Sequence, residues 1–263
     1  GADNLGRGLA AYLSGDLDVR QPPLTAAVMS LIGGVTDAPT LLTAQRALVI
    51  TWAVLAVVLL GLMAVRVATV PGADPTQVVL SPVAALTVLV SPDLLGVALA
   101  TLGLVAWLRR RAALAGVLLG LAVMARTYPL VLLAVMVAVV LVRDPQRRPD
   151  LRPLALGALG GVVAVALPLA WHPGTIISAW RAWWAAGTSL GSPWHVPSLV
   201  GTAVPDPLAV ALSVLGWVAA AFVVALLLTR RGPAPSVAGL ALVAVAIVLV
   251  TGTAAPPGAS LWL

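Results

Sequence analysis

The residues that could do chemistry in this sequence are a few Asp and Arg side chains next to long apolar segments. The chain has no Cys and only two His among 263 residues, which excludes thiolate catalysis, Cys-ligated metals and a His-based metal site. Carboxylates beside apolar segments are costly and are therefore candidates for function, and Arg can bind an anion such as a lipid phosphate. The sequence therefore indicates a functional carboxylate and an anion-binding Arg, and leaves open whether a divalent cation assists.

Four positions stand out because ionisable or phenolic groups beside apolar segments are costly and often functional. Asp93 follows Pro92 at the start of an apolar segment, where it is either a functional carboxylate or a helix cap. Arg126 lies between two apolar segments, where it either binds an anion such as a lipid phosphate or extends to the membrane surface. Tyr128 is either a functional or an interfacial residue, and Asp3 is either a functional or a solvated carboxylate.

The composition predicts an integral membrane protein. Apolar residues make up 61% of the chain and charged residues 9%, against about half and about a quarter in soluble domains. A membrane-spanning helix needs about 20 apolar residues. The clearest candidates are residues 48–65, 154–171, 208–228 and 237–251.

Shorter apolar segments occur in two pairs, each interrupted by a polar break. The pairs are 78–90 with 94–108, broken at residues 91–93, and 112–125 with 130–142, broken at residues 126–129. Pro129 cannot continue the preceding helix, and irregular backbone at membrane depth must be buried in protein or face water. We therefore predict an all-α polytopic protein with about six to eight membrane segments, including short broken hairpins, in a single transmembrane domain over residues 1–263. Gly160 and Gly161 are expected at a helix-packing site.

Arg clusters between the apolar segments predict the orientation, because cytoplasmic loops are rich in basic residues. The clusters comprise Arg109, Arg110, Arg111, Arg143, Arg147, Arg148, Arg152, Arg230 and Arg231. Because these clusters are explained as orientation signals, the net charge of +6 does not indicate nucleic-acid binding. Residues 112–142 should then leave and return to the cytoplasmic side, with the break at 126–129 outside. Residues 172–207 should form an outer loop whose Trp-rich part, 176–186, is an interfacial helix; the orientation of the first 40 residues stays open.

Several segments, in order, resemble a known family. They are residues 21–29 (QPPLTAAVM), 91–100 (SPDLLGVALA), 115–121 (AGVLLGL), 125–130 (ARTYPL), 180–183 (WRAW) and 191–199 (GSPWHVPSL). Together they resemble the actinobacterial membrane glycosyltransferases of family 87, in the GT-C superfamily, which include polyprenyl-phosphate-mannose-dependent mannosyltransferases. The family usually has Lys-Leu-Tyr-Pro where this chain has Arg126-Thr127-Tyr128-Pro129, so Arg126 is a departure that preserves charge.

The resemblance implies a GT-C-like helical fold in the cell membrane, with an active site on the outer face. It implies transfer of a sugar, with mannose expected, from a polyprenyl-phosphate donor to a glycolipid or glycan acceptor, without a cofactor. A carboxylate, Asp3 or Asp93, would be the base. The substrate-binding residues would be Arg126, Tyr128, Trp194 and His195. Compared with the family, the chain is expected to be truncated at both ends.

Two other classes of function fit the same sequence. A transporter or permease component would also have apolar helices, broken segments and an intramembrane Arg. A degenerate family member could serve as a non-catalytic membrane scaffold. Against the transporter, no paired inverted halves are visible, and no full-length apolar segment contains an acidic residue for ion coupling.

Overall fold

The structure, a computed structural model, describes residues 8–16, 21–35, 41–76, 93–185, 188, 192–232 and 235–253. Within these ranges all regular secondary structure is helical, which confirms the all-α prediction. The α-helices are α1 (Gly8–Leu13), α2 (Pro23–Val35), α3 (Leu41–Val67), α4 (Asp93–Leu108), α5 (Ala112–Ala125), α6 (Pro129–Val142), α7 (Leu151–Ala166), α8 (Pro173–Ala185), α9 (Asp206–Thr229) and α10 (Val237–Thr251). Short 3₁₀ helices cover Pro145–Asp150, Leu167–Leu169 and Pro193–Val200.

Three helical segments are long and apolar enough to cross a membrane: Val49–Val67, Pro145–Leu169 and Asp206–Thr229. Much of their apolar surface points away from the protein, as at Val57 (64% exposed) and Phe222 (67% exposed). Such outward-facing apolar surface is stable in lipid and costly in water. These three helices suggest a membrane protein and correspond to three of the four longest apolar segments in the sequence. The fourth, α10, has 15 residues, so its crossing stays a prediction.

The helices around the predicted break at residues 126–129 are short. Helices α5 and α6 have 14 residues each, or about 21 Å, against a hydrocarbon core of about 30 Å. The chain leaves α5 at Arg126, whose backbone is extended (φ −157°, ψ 155°), and Pro129 is the first residue of α6. The other predicted break lies largely outside the described residues, which resume at Asp93.

By their contacts, the residues divide into two compact units. The first comprises Gly1–Thr127 and Pro153–Ala182, and the second Tyr128–Arg152 and Trp183–Leu263. The single transmembrane domain stays a prediction. In the first unit α4 packs along α5, with Leu94, Ala98 and Leu119 buried. This packing brings the beginning of α4 close to the end of α5, where the candidate site lies.

Helix α5 also crosses α7 through glycines on both helices. A Cβ on Gly116 or Gly120 would overlap the α7 backbone at Leu154 or Ala158. A Cβ on Gly157 or Gly161 would overlap the α5 backbone in the same way. Both pairs have the Gly-x-x-x-Gly spacing that lets helix backbones approach closely in membranes. The helix-packing role that was predicted for both residues is therefore confirmed for Gly161. Gly160 instead faces open space.

In the second unit, α6, α9 and α10 pack together around Val135, Met136, Ala220, Val224 and Ala244.

The predicted outer loop at residues 172–207 contains α8 and the 3₁₀ helix Pro193–Val200. Helix α8 begins three residues before the predicted 176–186, because Pro173 is favourable at a first helical position. The location of α8 at the membrane surface stays a prediction.

Candidate functional site

The candidate site is a buried ion pair between two residues that the sequence singled out separately. Arg126 donates through Nε to Oδ1 of Asp93, and its Nη2 also forms an ion pair with that oxygen. The Asp93 side chain is 2% exposed and that of Arg126 is 11% exposed. Both residues belong to the first compact unit. The structure thus brings together a predicted base and a predicted phosphate-binding residue, and each is the other's counter-ion.

Helix ends favour this pair electrostatically. Asp93 is the first residue of α4, where the helix dipole stabilises negative charge. Arg126 is the C-cap of α5, where the dipole stabilises positive charge. Its backbone N–H also donates to the carbonyl oxygen of Ala122 at 2.8 Å, which ends the helix in a regular way. Each charge therefore has a favourable local setting in addition to its partner.

A third helix end, that of α2, completes the site. Gln21, two residues before α2, accepts a hydrogen bond from Arg126 Nη1 through Oε1 at 3.1 Å. In the first turn of α2, the buried Thr25 donates through Oγ1 to the carbonyl oxygen of Ala125 at 3.1 Å. Since a terminal helix carbonyl lacks an intrahelical partner, this bond satisfies a group that would otherwise be buried unpaired. The beginnings of α2 and α4 and the end of α5 therefore meet around Arg126.

Gly96 provides the space that the aliphatic part of Arg126 occupies. It lies about one turn after Asp93 on α4. A Cβ at this position would come within 3.0 Å of Cγ and 3.2 Å of Cβ of Arg126. A larger residue would therefore crowd the aliphatic part of Arg126, which would have to shift by a few tenths of an ångström.

The geometry distinguishes the roles of the two charged residues. Arg126 has five N–H donors, and its bonds and ion pairs within the described ranges engage Nε, Nη1 and Nη2 once each. One N–H on each Nη is therefore without an acceptor among the described residues. Asp93 already faces two nitrogens of Arg126 through Oδ1. Its clearest structural role is to hold the guanidinium, and catalysis by Asp93 stays a prediction.

The other predicted site residues lie elsewhere or outside the described ranges. Asp3 lies outside them. Tyr128, 9% exposed, precedes α6 in the second unit, and its carbonyl oxygen accepts from the Val131 N–H at 2.9 Å. Trp194 and His195, adjacent in the same unit, lie in the first turn of the 3₁₀ helix Pro193–Val200.

Trp194 fastens its segment to the end of α10. Its Nε1 donates to the carbonyl oxygen of Thr251 at 2.9 Å, and the neighbouring Ser192 donates through Oγ to that of Gly252 at 2.7 Å. His195 Nδ1 is buried and has no hydrogen-bond partner among the described residues. The indole N–H of Trp194 is therefore used in a hydrogen bond within the protein. A substrate contact by Trp194 or His195 stays a prediction.

Three members of the site were not predicted: Gln21, Thr25 and Gly96. None carries a charge, so none stands out in an apolar sequence. The available signals were indirect, because Gln21 and Thr25 flank the Pro-Pro pair that starts α2, and Gly96 follows Asp93 at helical spacing. The described residues contain no cluster of three or more His and Asp side chains that could hold a metal ion.

Comparisons of this chain with protein-family models, with characterised proteins and with solved structures found no match.

Proposed function

We propose that this chain is a multi-pass membrane glycosyltransferase with a GT-C-like fold, acting at the outer face of the cell membrane. It would transfer a sugar, which we expect to be mannose, from a polyprenyl-phosphate donor to a glycolipid or glycan acceptor. Two lines support the proposal: the ordered resemblance to family 87 and the three helices long and apolar enough to cross a membrane. The observation that carries it is the largely enclosed Arg126, held at a junction of helix ends by Asp93 and Gln21.

A fixed Arg suits the departure of a lipid phosphate. As the bond between sugar and phosphate breaks, negative charge develops on the phosphate oxygens. A guanidinium that its neighbours already orient needs little reorganisation to stabilise that charge. Arg also stays charged in an apolar setting and presents its donors in one plane. Arg126, with an N–H remaining on each Nη, would bind the donor phosphate.

The proposed transfer has one proton acceptor and one leaving group. A carboxylate takes the proton from the acceptor hydroxyl, and the hydroxyl oxygen forms a bond to C1 of the sugar. The bond between C1 and the phosphate oxygen breaks, and its electron pair leaves with polyprenyl phosphate beside Arg126. Because Asp93 is engaged with Arg126, the proposal assigns the base role to Asp3 and a positioning role to Asp93.

A transporter is the second candidate, because the break between the short helices α5 and α6 is also a feature of transporter substrate sites. A discriminating experiment supplies the purified chain in detergent with polyprenyl-phosphate mannose, labelled in the sugar, and a glycolipid extract as acceptor. A transferase releases polyprenyl phosphate and labels the acceptor in detergent. A transporter acts only across a sealed vesicle and leaves the donor intact.

The matched control for this assay is Arg66→Ala. Arg66 is an exposed residue near the end of α3, and the hydrogen bonds and ion pairs of Arg126 described above do not involve it. We expect this variant to match the wild type, whereas Arg126→Ala should lose transfer. No donor cleavage by the wild type, with active transport in vesicles, would replace the transferase by a transporter.

A further inference from the structure

An open apolar groove lies between α6, α9 and α10 in the second unit, well separated in sequence from Asp93 and Gln21. It encloses about 520 Å³, and its walls include Val131, Val135, Trp217 and Val248. Along α6 it extends from Leu130 to Val142, about 18 Å at 1.5 Å per residue. Its lining is almost entirely aliphatic and aromatic, and its length suits a hydrocarbon chain.

One end of the groove is positively charged. On α6 and α9 the last groove residues are Val142 and Thr229, and the residues that follow them are Arg143 and Arg230. Arg143 donates through Nη2 to the carbonyl oxygen of Arg230, which holds these two helix ends together. Arg231 continues the cluster and is exposed. An apolar groove therefore ends at three Arg residues.

The segment that follows Arg143, residues 144–150, does not neutralise this charge. It contributes Arg147 and Arg148 as well as Asp144 and Asp150. Asp150 pairs with Arg147 at 3.1 Å, and Arg148 donates to the carbonyl oxygen of Leu141 at 3.1 Å. The end of the groove keeps an excess of positive charge, which favours an anionic ligand.

Arg143 has a donor that needs an acceptor. Its Nε is buried and has no hydrogen-bond partner within the described ranges. A buried N–H without a partner is destabilising, and one on a charged group more so. A phosphate oxygen at the end of the groove would satisfy it through a charge-assisted bond.

We propose that this groove binds an anionic phospholipid, with one acyl chain along α6 and the phosphate at Arg143, Arg230 and Arg231. The proposal is independent of the glycosyltransferase activity. The Arg clusters predict that this end faces the cytoplasm, where the membrane leaflet carries anionic lipids. The combination of groove length, charge and a buried N–H distinguishes this site from general contact between lipid and an apolar helix.

The test uses the full chain in nanodiscs of phosphatidylcholine that contain a little phosphatidylglycerol with a photoreactive acyl chain. After illumination, we expect labelled peptides from residues 130–142 and 217–229. Unlabelled phosphatidylglycerol should compete at least about fivefold better than phosphatidylcholine, as expected for contact between several Arg residues and an anionic headgroup. Arg143→Gln should reduce labelling about fivefold, and Arg143→Lys should retain most of it, since Lys keeps the charge.

A steric pair of variants tests the groove itself. Ala221 lines the groove, whereas the exposed Ala219 on the same helix does not. Ala221→Phe should therefore reduce labelling several-fold, and Ala219→Phe should leave it unchanged. If Arg143→Gln fails to fold, Arg231→Gln gives the same charge test at an exposed position. Equal competition by phosphatidylcholine, or full labelling of Ala221→Phe, would show ordinary surrounding lipid and end the proposal.

Discussion

Arg126 donates a hydrogen bond to Asp93, a residue 33 positions earlier, where the end of α5 meets the beginning of α4. The two charges are almost completely enclosed. Such a pair adds little net stability relative to apolar residues, but its loss on one side leaves a buried charge without a counter-ion. This asymmetry gives the pair a distinct mutational signature.

The first prediction concerns the stability of that pair. Asp93→Ala and Arg126→Ala should each lower the free energy of unfolding by about 3–5 kcal/mol, because each leaves one buried charge unpaired. The double variant should lose clearly less than the sum of the two, since it leaves neither charge behind. The measurement is thermal unfolding in detergent, followed by circular dichroism. It compares the wild type, the two single variants and the double variant. Additive losses would mean that the two side chains are not coupled.

The second prediction separates the two Asp residues in catalysis. Asn has the shape of Asp but cannot take a proton at neutral pH. Asp3→Asn should therefore abolish sugar transfer and leave membrane insertion intact. Asp93→Asn should give a partial loss, because Asn can still accept a hydrogen bond from Arg126. Transfer is measured with purified variants at matched amounts of folded protein. Full activity of Asp3→Asn would remove it as the base, and near-zero activity of Asp93→Asn alone would assign that role to Asp93.

The sequence predicted most of the long helices and the two charged residues of the candidate site, but not the short first helix α1. Long apolar segments identify helices by length, although α3 begins at Leu41, seven residues before the predicted segment, because Gln45 and Arg46 are compatible with a helix. Asp93 and Arg126 stood out because charge is rare here. Their contact could not be predicted, since it depends on how α4 packs along α5. Gln21 was missed because an uncharged side chain leaves no such signal.

The third prediction concerns the crossing of α5 and α7. Gly157→Ala would place a Cβ against the carbonyl oxygen of Ala113, a backbone atom that cannot easily move. We expect a loss of about 1–3 kcal/mol in the free energy of unfolding, as for other overpacked contacts. Gly160→Ala is the matched control, because its Cβ would enter open space. Equal unfolding temperatures for the two variants would contradict the close crossing.

The fourth prediction concerns topology. The chain has no Cys, so single introduced Cys residues can be labelled without background. Cys at Thr127 should react with an impermeant thiol reagent from outside intact cells. Cys at Gln146, within the predicted cytoplasmic Arg cluster, should react only after permeabilisation. The reverse pattern would place the break at residues 126–129 on the inner side, and would contradict an outer-face site there.

The most direct test of the proposed function is the release of polyprenyl phosphate from polyprenyl-phosphate mannose by variants of Arg126. Removing a charge-stabilising donor from a transition state commonly reduces the rate by about 10²–10³-fold. We predict a loss of this size for Arg126→Ala and partial activity for Arg126→Lys, which retains the charge but not the planar guanidinium. Wild-type turnover by Arg126→Ala, at matched folded protein, would contradict the phosphate-binding role and leave Arg126 as a structural partner of Asp93.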